Sequence, residues 1–296
     1  QVNSGISDYK MSSRIFTDYD EIYEKDTLLR KIVYFFILPI INNVPRNFFI
    51  RSTKKAEEVH KNVTRTKALE IIYNFDYKLH LENGFKEGLM EYLWNLTNNT
   101  RALRNRLKLV KKLINKSILE INKANIKVAS LACGSARAVI ETVAQYKDKY
   151  NFEIYAVDLD NEALKLAEEL AKKHGVYSFC KWYNMTLNTF LDSINETFDI
   201  IEMVGFLDYR TDEEAIKLFN KIFNILDQNG IFITGNIKNN PEKKFVENVV
   251  GWHSLIYRDE HELLKLLQAS KFKNSEITII QEPLHIHIVA LSKKIG

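Results

Sequence analysis

The stretch VASLACGSARAVIETVAQYKDKYNFEIYAVDLDNEALKLA, residues 128–167, contains a β-rich run, a short turn, a helical segment and a second β-rich run that ends in an acid. This order predicts a strand, a turn, a helix and a parallel strand. Asp158 ends the second run, 24 positions after Gly134 in the turn. An acid at that place in a doubly wound sheet binds the ribose of a nucleoside, so we expect a nucleoside site here.

The turn contains little glycine. Ala132 and Ala136 stand on either side of Gly134, where a dinucleotide-binding turn has three glycines that let the backbone approach a pyrophosphate. We therefore expect a nucleoside without a pyrophosphate, and no binding of NAD.

Short β-rich runs alternate with helical segments from Ile126 to the C-terminus. We predict strands at residues 126–131, 153–158, 178–183, 198–204, 230–236, 275–281 and 284–292. Only Glu282 and Pro283 separate the last two, which is too short for a parallel crossover, so they should form an antiparallel pair. The predicted fold class is α/β: a doubly wound seven-stranded sheet with an antiparallel C-terminal hairpin, preceded by a helical N-terminal cap domain.

Helical patterns replace the β-rich runs in the first 120 residues. We predict helices from about Asp18 to Asn42, from Ser52 or Thr53 to Tyr73, from about Leu81 to Leu96, and from Arg101 to Asn115. Pro39 and Pro45 should bracket a turn after the first helix. We expect residues 1–120 to form a helical cap or substrate-binding region and residues 121–296 to form the nucleoside-binding domain.

Positive charge is concentrated in the N-terminal region. Residues 1–120 carry 21 basic and 14 acidic side chains, whereas the remainder carries 21 and 24. The fourth predicted helix has no acid among its basic side chains, which are Arg101, Arg104, Arg106, Lys108, Lys111 and Lys112. This excess is modest beside the basic surfaces of nucleic-acid-binding proteins, so we do not expect a nucleic-acid partner.

Four segments together resemble a known family. They are VASLACGSAR, AVDLD, FDIIEMVGFLDY and LDQNGIFITGNI, in this order along the chain. They are similar to the class I methyltransferases that use S-adenosylmethionine, a nucleoside cofactor without a phosphate, and the resemblance covers roughly residues 123–294. This chain has alanine at 132 and 136, where the family usually has glycine, and Ser130 where it often has an acid. The later segment NIKNNPEKKFVENVVGWHSLIYR more weakly resembles bacterial small-molecule methyltransferases, among them makers of fatty-acid methyl esters.

The resemblance implies a set of cofactor-binding residues. The amides after the turn would bind the methionyl carboxylate, Asp158 would accept both ribose hydroxyls, and Asn184 would meet the adenine amino group. Cys133 should be a small buried apolar side chain and not a nucleophile. The full expected set is Ala132, Cys133, Gly134, Ser135, Arg137, Asp158, Leu159, Asn184, Met185, Glu202 and Met203.

The acceptor side is predicted from two segments. Asp208 and Tyr209 follow the fourth strand. An insertion after the fifth strand contains four more candidates, Trp252, His253, Tyr257 and Arg258. Histidine suits a general base near neutral pH, whereas tyrosine and arginine can orient an anionic acceptor. A carboxylate acceptor would need no base.

A few histidines and aromatic residues have more than one interpretation. His285 and His287 would share a face of the last strand, but two ligands are too few for zinc and we expect no metal. The N-terminal aromatic residues fit either a lid over the crevice or a simple core; they are Tyr34, Phe35, Phe36, Phe48 and Phe49.

We expect a methyltransferase for a small or lipid-like acceptor, with oxygen as the preferred atom. The alternatives are an RNA or protein methyltransferase that uses the basic helix, and a catalytically silent protein that binds the cofactor or a partner. The longest apolar run, residues 32–41, is too short to span a membrane and contains Pro39. No secretory leader is recognised and two cysteines suggest no disulfide framework, so we expect a cytoplasmic protein.

Overall fold

The computed structural model of the chain describes residues 23–76 and 84–295. Its strands are β1 (Asn125–Leu131), β2 (Asn151–Asp158), β3 (Cys180–Asn184), β4 (Phe198–Met203), β5 (Leu226–Ile237), β6 (Glu276–Gln281) and β7 (His287–Lys293). They form one 7-stranded sheet in the order β3-β2-β1-β4-β5-β7-β6. The five neighbouring strands β3, β2, β1, β4 and β5 are parallel to one another. Strand β7 is antiparallel to both of its neighbours, β5 and β6. The predicted fold class is confirmed.

Helices lie before the sheet in sequence and on both of its faces. In chain order they are α1 (Leu28–Asn42), α2 (Arg46–Ile50), α3 (Lys54–Lys61), α4 (Thr66–Tyr73), α5 (Phe85–Asn95), α6 (Asn98–Ile121), α7 (Arg137–Val143), α8 (Asn161–His174), α9 (Leu187–Ser193), α10 (Asp212–Ile225) and α11 (Glu260–Gln268).

The sheet is buried on both faces, as the β-rich runs require. Along β1, Ala129 and Leu131 join the core under α9, α10 and α11, whereas Ile126 and Val128 join the core under α6, α7 and α8. This alternation follows from the two-residue period of a strand. Because α6 packs in the same core as the sheet, the predicted boundary near residue 120 falls at the end of a helix that both regions share, and the division into two domains stays a prediction.

The N-terminal helices differ in detail from the prediction. The second predicted helix is two helices, α3 and α4, because Thr64 between them adopts φ 67° in the left-handed region. The first begins only at Leu28, and its predicted start at residues 18–22 lies outside the described residues, as does Leu81 of the third. Pro39 lies inside α1 and not in a turn, since α1 is exposed and water can satisfy the carbonyl that the proline leaves without a donor.

The aromatic residues of the N-terminal region do not form one lid. Phe35, Phe36 and Phe48 are 72%, 70% and 52% exposed, and Tyr34 donates a hydrogen bond to Glu242. Phe49 alone of these five is buried, in a core shared with α3, α4 and α5. Within the described ranges, no helix has the length and apolar character needed to cross a membrane.

The last strand starts later than predicted. Buried Glu282 accepts hydrogen bonds from the amides of Leu284 (2.8 Å) and Ile286 (2.7 Å), which turns residues 282–286 into a loop. His285 lies in this loop at φ 59° and is exposed, whereas His287 is buried at the start of β7. The two histidines therefore do not share a strand face, and the described residues hold no group of three or more side chains placed to bind a metal.

The expected basic surface on the fourth helix does not form around its arginines. Arg101 and Arg104 are 4% and 5% exposed. Arg101 Nη1 lies 2.5 Å from Asp26, and Arg104 binds both carboxylate oxygens of Glu24 at 2.6 and 3.0 Å. These arginines fasten the chain before α1 onto α6 and are not available to phosphates.

Replacing Arg104 by methionine should therefore lower the free energy of unfolding by roughly 1.5–3 kcal/mol, because Glu24 would lose both charge-assisted hydrogen bonds from Arg104 and keep the longer contact with Arg101 at 3.5 Å. Chemical denaturation measures this effect. Lys116→Met, at an exposed site on the same helix, should change the stability by less than about 0.5 kcal/mol. An equal loss in both variants, or a steeply salt-dependent RNA affinity that Arg104→Met abolishes without unfolding, would contradict this structural role.

Candidate active site

A cavity of about 860 Å³ opens at the carboxyl ends of the central strands. Its floor is formed by the turn after β1, by Asp158–Asp160, by Met185–Leu187 and by the segment that follows β4. Its roof comes from α2 to α6, through Phe49, Val59, Ile72, Trp94 and Leu103. Ligands bind at this edge of open α/β sheets, where neighbouring crossovers leave on opposite faces.

The turn after β1 keeps a left-handed backbone without its usual glycines. Ala132, Gly134 and Ala136 have φ values of 48°, 55° and 47°. An alanine in this region costs roughly 1–2 kcal/mol relative to ordinary helical backbone. Strain of this kind persists where the surrounding structure holds the conformation in place. Here the strained turn lines the cavity.

Asp158 holds the turn from the end of β2. Its Oδ2 accepts from the Gly134 amide at 2.8 Å, and its Oδ1 accepts from the Asp160 amide at 2.9 Å. Burial raises the pKa of the Asp158 carboxyl, although these amides oppose the shift. Each carboxylate oxygen can accept a second hydrogen bond, so Asp158 is placed to bind ribose hydroxyls from the cavity.

A carboxylate from α4 covers the start of α7. Glu70 accepts from Ser135 Oγ at 2.6 Å and from Arg137 Nε at 3.2 Å. Thr66, one turn earlier, lies so close that a Cβ on Gly134 would be 2.9 Å from its Oγ1. The side chains of Ser135 and Arg137 are therefore occupied by Glu70. The amides of Cys133, Gly134 and Ala136 also donate within the chain, so a methionyl carboxylate would have to use the amides at the start of α7.

The predicted adenine contacts separate into two groups. Leu159 and Met185 line the cavity. Asn184 does not, because its Nδ2 donates to the carbonyls of Leu159 (2.9 Å) and Asp158 (3.2 Å). Asn184 supports the loop that carries Asp158 and is not placed to bind adenine.

Glu202 supplies an acid beside Ser130, the position where the resembled family often has one. The two residues are paired in register on β1 and β4, and Ser130 Oγ donates to Glu202 Oε2 at 2.7 Å. Burial raises the pKa of the Glu202 carboxyl to about 7. Met203, by contrast, points into the core and does not line the cavity. Cys133 lines it, but burial raises the pKa of its thiol well above the ordinary value, so it is no nucleophile.

The acceptor-side residues Asp208, Tyr209, Trp252 and His253 line the same cavity. Tyr209 accepts a hydrogen bond from Trp252 Nε1, and burial raises the pKa of Tyr209 to about 12. Asp208 is 5% exposed and accepts from the Ile237 amide at 2.7 Å. His253 is exposed at the mouth, 3.4 Å from Arg46.

Two of the residues predicted to contact the acceptor do not line the cavity. Arg258 is 3% exposed and donates to Asp212 at 2.8 and 3.0 Å and to Asn236 at 2.9 Å, so it ties down the segment after β4. Tyr257 donates to Glu247 at 3.0 Å. Neither residue lines the cavity.

Residues 128–230 match the family model described as a methyltransferase domain. This segment is a methyltransferase domain. The strand order and the antiparallel final strands are those expected for class I enzymes, so the recognition of a methyltransferase is confirmed. The fatty-acid methyl ester subgroup stays a prediction.

Solved structures share the fold of this chain. A possible exported protein from Bordetella parapertussis has a TM-score of 0.65 at 12% identity, over 88% of this chain and 96% of that one. Magnesium protoporphyrin IX methyltransferase from Synechocystis PCC 6803, with bound S-adenosylmethionine, has a TM-score of 0.52 at 12% identity, over 86% and 97%. A candidate O-methyltransferase from Nostoc punctiforme PCC 73102 gives 0.50 at 20% identity, over 66% and 58%. No curated protein matches the chain.

Three polar residues that line the cavity were not predicted from the sequence as site residues. They are Tyr73 on α4, Arg106 on α6 and His287 on β7. The basic pattern of α6 contains Arg106, but nothing in that pattern distinguishes it from Arg101 and Arg104, which turn elsewhere. Only packing separates them.

Because Ala132 is strained, Ala132→Gly should leave the protein as stable as before or more stable by up to about 1 kcal/mol. Relief of the left-handed strain exceeds or offsets the entropy that glycine adds to the unfolded chain. Thermal and chemical denaturation measure this. Ala167→Gly, in the interior of α8, is the matched control and should cost about 1 kcal/mol or more. Similar losses in both variants would show that Ala132 carries no strain.

The Glu202 carboxyl should make stability depend on pH. Its folded pKa of about 7 lies above the ordinary value of 4.5, so the folded state holds the proton more tightly than the unfolded state. Stability should therefore fall as pH rises from about 4.5 to 7, by roughly 1–3 kcal/mol for this group. Denaturation of Glu202→Gln across this window should show a shallower fall than the wild type, while exposed Glu213→Gln should reproduce the wild-type slope. An unchanged slope in Glu202→Gln would contradict the assignment.

Proposed function

We propose that this protein binds S-adenosylmethionine and transfers its methyl group to an oxygen of a small or lipid-like acceptor. The observation that carries the proposal is the continuity of one cavity. At one end of it, Asp158 and the left-handed turn offer a nucleoside site, and at the other an apolar roof encloses space beside the end of β4. The methyltransferase domain over residues 128–230 supports the reaction type.

The residues that would hold the cofactor fit its chemistry. Asp158 would accept the ribose hydroxyls, and the amides that begin α7 would face the methionyl carboxylate. Leu159 and Met185 offer apolar contacts to the adenine. The absence of a three-glycine turn favours a nucleoside without a pyrophosphate.

When bound, S-adenosylmethionine would supply a methyl group carried on a sulfonium, for transfer to an acceptor oxygen with S-adenosylhomocysteine as the leaving group. The chain's part is to position the acceptor and to exclude water, which the apolar roof of Phe49, Trp94 and Leu103 can do. A hydroxyl acceptor also needs a base, and His253 and Asp208 are the titratable groups on the acceptor side. A carboxylate acceptor has no proton to lose and needs neither.

Burial of the arginines on α6 weighs against the RNA or protein acceptor, because Arg101 and Arg104 are already paired with carboxylates. A methyltransfer assay separates the proposal from the catalytically silent alternative, because only an enzyme converts S-adenosylmethionine to S-adenosylhomocysteine. The cytoplasmic location stays a prediction.

Calorimetry tests the cofactor site. The protein should bind S-adenosylmethionine and S-adenosylhomocysteine but not NAD, and Asp158→Ala should weaken both sulfur nucleosides by about 1–3 kcal/mol, since the ribose would lose a charged acceptor. Asp160→Asn, which keeps the cap of α8, should leave the affinity within about twofold. Tight NAD binding, with no response to either sulfur nucleoside, would overturn the proposed function.

A further inference from the structure

Arg106 is a buried arginine that no carboxylate contacts directly, although the charges of Asp208 and Glu202 interact with it over a longer distance. Arg101, Arg104 and Arg106 lie on one helix and are 4%, 5% and 6% exposed. The first two each bind a carboxylate, but Arg106 makes a single hydrogen bond, from Nη2 to Tyr73 Oη at 3.2 Å, and no ion pair within 4.0 Å to any described residue. A buried guanidinium stays charged and is costly unless an anion accompanies it. Its other N–H donors have no partner among the described residues, and Arg106 lines the cavity, so these donors are available to an anion from outside the chain.

A second unsatisfied group lines the same wall. His287 is 3% exposed, and neither ring nitrogen has a hydrogen-bond partner in the described part of the chain. Burial and the neighbouring Arg106 lower the pKa of His287 well below its ordinary value, so the ring is neutral and carries one N–H donor. Tyr73 accepts from Arg106, which leaves its own hydroxyl proton free to donate. Three donors thus meet at one wall of the cavity.

We propose that Arg106, Tyr73 and His287 form a subsite that binds the carboxylate of an apolar carboxylic acid, the methyl acceptor. This inference rests on the proposed function and names its substrate class. A guanidinium matches a carboxylate through two parallel hydrogen bonds. The roof residues Phe49 and Leu103 provide apolar surface for the rest of the acceptor. Asp208 and Glu202 line the same cavity and disfavour a dianion, so a monoanion fits better than a phosphate.

A carboxylate could also come from the methionyl end of the cofactor. The position of Arg106 favours the acceptor: a Cβ on Gly205, after β4, would lie 3.5 Å from its Nη2, and His287 opens β7 on the far side of β5. The turn expected to face the methionyl carboxylate follows β1. The two sources are separated by the ligands used below.

The test measures binding to the full chain by calorimetry, with decanoate and decanamide as probes in the presence of saturating S-adenosylhomocysteine. The wild type should bind decanoate at least tenfold more tightly than decanamide. Arg106→Met should abolish that preference and leave the affinity for S-adenosylhomocysteine within about twofold. Arg106→Lys, which keeps the charge but not the fork, should retain part of the preference. His287→Leu should weaken decanoate by a smaller factor, about threefold to tenfold.

The matched control is Arg210→Met, which removes an arginine from the same cavity, where its guanidinium stacks on Phe206 at 4.2 Å. It should keep the preference for decanoate. Because Arg106 has no direct ion pair, Arg106→Met should lower the melting temperature without ligand by less than Arg104→Met does, since Arg104 binds Glu24 directly. An equal or larger loss would show that Arg106 has a structural role.

Three results would overturn the subsite. The first is a wild type that binds S-adenosylhomocysteine but does not prefer decanoate, and the second is a preference that survives in a folded Arg106→Met. The third is an Arg106→Met variant that loses S-adenosylhomocysteine at least tenfold but keeps 5′-methylthioadenosine, which lacks the carboxylate; this result would assign Arg106 to the cofactor. A wild type that binds no sulfur nucleoside would refute the proposed function itself.

Discussion

One carboxylate joins the two strand ends on which the site is built. Asp158 at the end of β2 accepts the amide of Gly134 in the turn after β1, and so fixes the turn in its left-handed conformation. Ala132 and Ala136 adopt that conformation at a steric cost that glycine would avoid. The backbone at this point lines the cavity and leads into α7, and Thr66 and Glu70 of α4 pack against it.

Apart from Arg106, the buried arginines of the described residues have carboxylate partners. Arg101, Arg104 and Arg258 each bind a carboxylate, which offsets the loss of hydration. Arg106 departs from this rule, and it faces the cavity. A folded protein tolerates such a group when a ligand completes its hydrogen bonds, so an unpaired buried arginine is a more specific sign of a site than a basic patch.

The fold and the nucleoside end of the site could be predicted because they depend on local patterns. Short β-rich runs that alternate with helical segments predicted all seven strands, and the short spacer at Glu282 and Pro283 predicted that the last pair is antiparallel. The turn follows β1 and Asp158 ends β2, the parallel strand beside it. Both therefore lie at the same edge of the sheet, and the sequence alone predicts that they are close. The breaks in the pattern that were missed, at Thr64 and at Glu282, depend on one left-handed residue and on one buried carboxylate that binds backbone amides.

The acceptor end was decided by tertiary structure, because its groups come from elements far apart in sequence. The aromatic and basic residues of the insertion were predicted to contact the acceptor. Packing instead directs Arg258 to Asp212 and leaves His253 exposed at the mouth of the cavity. On α6, the sequence determined an amphipathic basic helix, but it could not say which arginine meets an acid and which meets a cavity. That choice depends on where Glu24 and His287 arrive in space, since the free energy of a buried charge is set by its neighbours and not by its position in the chain.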